Sequence, residues 1–209
     1  MAEHRYSAAD ITILEFDDSV RTRTAMYFRA SRESPELATR VLSEVVGHAL
    51  HPATRVGPPH TARAHAEISA DLAFSVEDDL TDALDDQGRP RPGYYDSLLG
   101  PDRWLSGAAA ALSGRTVVEV WRDGRGFRQE LAGLRPLGAP EEFEPSAGGG
   151  TRLSCELDPA LFAPGSAITT DLDSLDLHGT HCPEPHGGHV TIRDLRTSRE
   201  WAAPNAGRP

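Results

Sequence analysis

Cysteine is scarce: 209 residues hold only Cys155 and Cys182. Two thiols cannot build a disulfide framework, which excludes the small stapled secreted scaffolds and predicts a reducing, cytoplasmic setting. No apolar run approaches the ~20 residues that a membrane-spanning helix requires. The opening "MAEHRYSAAD" lacks the charged-then-apolar order of a secretory signal. Positive charge is also short, with 21 Lys and Arg against 32 Asp and Glu, a formal net charge of −11. Such a surface does not grip nucleic acid through phosphate contacts; it suits a soluble protein or one that meets a basic partner. Hydrophobic residues make up a low 38%, whereas 19 Gly and 16 Pro predict many turns. The length suffices for one sizeable domain with its own core.

What is present has a clear order. Residues 10–29 open apolar and pass into a helix after Asp17 or Asp18. In "SPELATRVLSEVVGHAL", Ser34 is placed to cap a helix, Pro35 fits its first turn and Glu36 favours its dipole. Leu37, Val41, Leu42, Val45, Val46 and Ala49 then recur at helical spacing until Pro52. From Ala66 to Val76 the period becomes two, giving one strand or a hairpin turning near Ser69–Asp71. "WLSGAAAALS" reads as an Ala-rich helix that Gly114 closes. "TVVEVWRDGRGFRQEL" is a hairpin about Asp123-Gly124. "GGGTRLSCELD" is a strand, and "GHVTIRDLRTSREW" a last strand or hairpin. Helices followed by mostly antiparallel strands predict an α+β layer structure. The expected division is a flexible stretch over 1–9, a single domain over 10–200, and a disordered tail over 201–209.

Several residues carry chemistry. Glu44 and His48 stand at i and i+4 and share a helix face. They have the makings of an acid–base pair, although a lone helix glutamate is more often just an exposed carboxylate. His178, His181, Cys182, His186 and His189 crowd into "HGTHCPEPHGGH" and offer zinc-type ligands. Their spacing matches no standard zinc pattern, and a solvated loop is the commoner outcome. Asp78 reads as a strand-end turn residue or a pocket residue. The glycines of "RDGRGF" belong to a hairpin turn, and no nucleophile–His–Asp arrangement is supported by spacing.

The segments "ITILEFDDSVRTRTAMY", "VLSEVVGHALHPA", "FSVEDD", "AALSGRTVVEVWRDGRGFRQEL" and "GGTRLSCELDPALF" occur in the order found in one family. The chain resembles the N-terminal ATPase domain of the DNA gyrase B subunit and its topoisomerase IV relative, within the GHKL (Bergerat-fold) ATPases. The resemblance implies an α+β two-layer sandwich, a mixed but mostly antiparallel sheet with helices on one face. It places Glu44 where the family has its general base, and His48 where it has an asparagine ligand to magnesium. Asp78 falls on the aspartate that hydrogen-bonds the adenine amino group, and Thr151 on the threonine that backs it. Two departures stand out. Imidazole is a poor ligand for magnesium, which wants hard oxygens. The glycine-rich lid whose backbone N–H groups would close on a triphosphate is missing, with Trp104 adding bulk in its place.

The expected ligand is therefore ATP or ADP with reduced magnesium dependence, or another small molecule, in a stand-alone domain with little or no ATP hydrolysis. Partners implied are a gyrase-like subunit and no nucleic acid or membrane, in a monomer or weak homodimer. Three further readings are a pocket reused for catalysis by Glu44 and His48, a pseudo-ATPase that regulates a gyrase B subunit, and a zinc module on the histidine loop.

Overall fold

A computed structural model of the chain describes residues 14–51, 63–145, 148–177 and 189–202. Four helices, α1 (Phe16–Thr22), α2 (Thr24–Phe28), α3 (Leu37–Leu50) and α4 (Trp104–Ala111), accompany one nine-stranded sheet. Its strands are β1 (Arg63–Ala70), β2 (Ala73–Asp78), β3 (Ser113–Arg122), β4 (Arg125–Ala132), β5 (Arg135–Pro136), β6 (Glu141–Phe143), β7 (Gly150–Leu157), β8 (His189–Asp194) and β9 (Arg199–Ala202). They run in the order β5-β4-β3-β7-β2-β1-β8-β9, with β6 also on β4. Among the described residues only β1 and β8 pair in parallel; the other pairings are antiparallel. This is the mixed, mostly antiparallel α+β architecture expected.

Strand periodicity separates the faces. Ala64, Ala66 and Ile68 of β1, Phe74 and Val76 of β2, and Leu153 and Cys155 of β7 are buried, while the residues between them are more open. Helix α3 packs on β1 and β2, and α4 on β3 and β7. The apolar face of α3 contributes Leu37, Val41, Leu42, Val46 and Leu50, all at most 1% exposed. Each such side chain stabilises the fold by roughly 1.5–3 kcal/mol.

Local differences from the sequence reading have physical reasons. Residues 66–76 form the hairpin rather than one strand, and Ala70 pairs with Ala73 across a turn at Asp71 and Leu72. Helix α3 starts at Leu37, so Ser34 lies before its N-cap, where its Oγ accepts the Glu36 N–H at 3.3 Å. Gly114 does not close α4. Leu112 is the C-cap, and Gly114 falls in β3 at a register shift between Ser113 and Arg115. The Asp123-Gly124 turn forms as expected, both residues taking positive φ (54° and 78°). The segment 189–202 is a hairpin, and β9 runs through Trp201 and Ala202, two residues past the start assigned to the tail. Residues 1–9, and the tail from 203, lie outside the described residues.

Candidate functional site

The site grows from the end of β2. Period two along the strand puts Asp78 on the same side as Phe74 and Val76, so its carboxylate enters the helix layer, and it is 6% exposed. In the register with β7, Asp78 stands opposite Thr151. These two residues hold one peptide from both sides. The Leu80 N–H donates to Asp78 Oδ1 at 2.9 Å, and Thr151 Oγ1 donates to the Leu80 carbonyl at 2.6 Å. Gly150 is required beside them, because a Cβ there would stand 2.6 Å from the Asp78 carbonyl oxygen.

The sequence reading did not foresee what occupies the rest of the carboxylate. Arg103, the last residue of a short 3-10 turn (Pro101–Arg103) leading into α4, is buried with its guanidinium turned to β2. Its Nη1 donates to Asp78 Oδ2 at 2.7 Å and its Nη2 to Asp78 Oδ1 at 2.8 Å. The same group reaches Asp82, with Nη2 donating to Oδ1 at 2.9 Å and Nε to Oδ2 at 3.0 Å. Burial pushes the Asp78 carboxyl upward, opposed by the guanidinium and the Leu80 amide. Burial would discharge Arg103, but the attraction of Asp78 and Asp82 outweighs it and holds the guanidinium charged. The bidentate geometry is that of a strong charge-assisted pair. In sequence its only signal was a single arginine in "PDRWLSG", where the resemblance wanted glycines.

His48 lies one helical turn after Glu44, and the two meet different neighbours. His48 packs edge-on against Trp104, with ring centroids 5.7 Å apart at 73°. Among the described residues its Nε2 is buried without a hydrogen-bond partner. Desolvation, with the nearby Arg103 charge, pushes the imidazole down to about 4, so it is neutral at physiological pH. Beside it a cavity of about 240 Å³ is lined by His48, Leu80, Asp82, Asp102, Arg103 and Arg122, among others. Glu44 is not in that lining. Arg29 claims it, donating from Nε to Glu44 Oε1 at 2.9 Å. The structure thus brings Asp78 and Thr151 together and puts His48 on the neighbouring cavity, but leaves Glu44 outside it.

The histidine loop is mostly outside the described residues, which omit His178, His181, Cys182 and His186. His189 is described, exposed at the start of β8 opposite Arg63. Among the described residues, one group brings three candidate metal-ligand atoms within 4.8 Å of one another: Glu15, Asp17 and Asp18 at the start of α1. Asp17 there already accepts from the Tyr95 hydroxyl at 2.7 Å.

Against known structures, the 43K ATPase domain of Thermus thermophilus gyrase B, solved in complex with an aminocoumarin, matches with a TM-score of 0.68 over 93% of this chain and 52% of that one, at 22% identity. The fold is that of a gyrase B ATPase domain. Sequence comparison agrees: the chain is 28% identical over 185 residues to the B subunit of DNA topoisomerase 4 from Caulobacter vibrioides, a match that takes in 79% of this chain. That match spans about a quarter, 26%, of the topoisomerase chain. No protein-family model matches the chain. Among the described residues no helix is long and apolar enough to cross a membrane.

Proposed function

We propose that this chain is a divergent gyrase-B-like ATPase domain that hydrolyses little or no ATP, with its nucleotide pocket reshaped for a smaller ligand. The observation that carries this is the Arg103 guanidinium seated on Asp78. In the resemblance Asp78 accepts from an adenine amino group; here two arginine donors and the Leu80 amide already engage both oxygens, and the buried guanidinium stands where the amino group would approach. Three further features support the reading. The position of the magnesium ligand carries a neutral imidazole against an aromatic ring. The position of the general base carries a glutamate tied to Arg29. The cavity, about 240 Å³, falls below the roughly 300–1,000 Å³ of ordinary drug-sized ligand sites.

The test is thermal unfolding of the full chain with ATP, ADP and magnesium, and with an aminocoumarin, the compound class held by the Thermus domain. A ligand at a hundred times its dissociation constant adds about 2.7 kcal/mol, which is readily seen. The expected result is a flat melting temperature for both nucleotides. A saturable rise that disappears in Asp78→Asn would overturn the proposal.

The similar topoisomerase chain is by name one subunit of an enzyme. On that ground we extend to this protein a gyrase-like subunit as its partner, and a cytoplasmic location. Co-elution with such a partner on a sizing column is expected; separate elution at high concentration of both chains would refute the pairing.

A further inference from the structure

We infer that the cavity beside His48 is a site for a small organic cation, an amine or a guanidine, held by Asp82 and Asp102. The inference rests on the reading that this pocket no longer takes a triphosphate. Its charge inventory is the starting point. The lining sets Asp82 and Asp102 against Arg103 and Arg122; Asp78, outside the lining but paired with Arg103, leaves one negative charge over, and the neutral His48 adds none. The Arg103 hydrogen bonds are directed at Asp78, Asp82 and the Leu80 carbonyl, which leaves little for an anion. Arg122 at the rim is likewise engaged, donating from Nη2 to the Asp85 carbonyl. Asp102, by contrast, makes no hydrogen bond or ion pair among the described residues.

The surplus acceptors are therefore the outer lone pairs of Asp82 and the carboxylate of Asp102, with the neutral His48 ring beside them on the wall. Acceptors of this kind match a donor-rich cation. A bare metal ion fits them poorly. His48, Asp82 and Asp102 do not bring their ligand atoms within 4.8 Å of one another, so a coordination sphere is not preformed. An organic cation can span the gap, and the volume of about 240 Å³ admits one of a few heavy atoms. The protein already shows the chemistry in the Arg103 guanidinium, itself a cation seated between two carboxylates of the same site.

The experiment is calorimetric titration of the full chain with methylguanidinium, beside its neutral analogue methylurea. Methylguanidinium is expected to bind saturably and about tenfold or more tighter than methylurea, a difference of about 1.4 kcal/mol. Asp102→Asn, at a partly exposed position, should keep the fold and bring methylguanidinium down to the methylurea level. Arg122→Gln should tighten it by removing a like charge. Equal binding of the two probes, no saturable binding, or an Asp102→Asn variant that binds as wild type would each overturn the inference. A rise in melting temperature with ATP would defeat the reading on which it rests; a flat response to both ATP and methylguanidinium defeats the cation site alone.

Discussion

Arginine meets carboxylate in two parts of this molecule, with different consequences. On the open face of the sheet the pairs follow the strand register. Arg152 stands opposite Glu77, Arg128 opposite Glu119, and Arg115 opposite Glu156. Their arginine side chains are close to half exposed, and water screens them. On the covered face the Arg103 side chain, 7% exposed, reaches the Asp78 side chain, 2% exposed, across 25 residues of chain. The functional groups are identical. What differs is the cost of leaving one partner alone: slight in water, severe where neither water nor another donor can replace it.

The sharpest way to break that comparison is Arg103→Met. An uncompensated carboxylate at Asp78 should cost about 3–5 kcal/mol in denaturant unfolding. The double variant Arg103→Met with Asp78→Leu should recover part of it, since removing both charges leaves neither stranded. A single-variant loss as small as that of a surface pair would erase the contrast between the two faces.

Next in size is an acid dependence set by His48. The unfolded chain takes a proton near 6.5, the folded chain only near 4. Acid therefore favours unfolding: this contribution is whole above pH 6.5, is lost as pH falls toward 4, and amounts to something on the order of 3 kcal/mol. Denaturant midpoints at pH 7, 6 and 5 should converge between wild type and His48→Gln. Parallel curves would mean that the ring is reached by water.

Thr151→Val comes third, at about 1–2 kcal/mol, because it leaves the buried Leu80 carbonyl without its hydroxyl donor. Arg152→Ala comes last, within about 0.5 kcal/mol of wild type, measured in the same unfolding assay. A loss above Thr151→Val would show that the open face is not solvated as its exposure indicates.

The periodic parts were legible in the sequence. The apolar spacing of α3, the Asp-Gly turn between β3 and β4 and the alternation in β7 each depend on local rules, and each formed. That Asp78 and Thr151 stand side by side was legible too, through the resemblance. Arg103 was not. A salt bridge between residues 78 and 103 has no period and no local signature, and a single arginine in a loop reads as solvated until the loop is folded back. The partner of Glu44 was hidden in the same way, because Arg29 faces it only after α2 turns into α3, through its own φ of 55°. Helix ends were read with smaller errors: Ser34 and Gly114 sit a few residues from the caps, where turn propensity and packing compete.

The parallel pairing of β1 with β8 also imposes an order in time. From Ala70 to His189 is a stretch of 119 residues. At roughly 5–20 residues per second on the ribosome, one edge of β1 waits some 6–24 s for its neighbour after the strand itself has been made. During that interval an inner strand of the finished sheet is an outer one, with unpaired N–H and C=O groups available to any passing strand. Fast synthesis of residues 71–189, or a chaperone that covers β1 meanwhile, is thus built into the requirements of this topology, and slowing translation across that stretch should lower the yield of soluble chain.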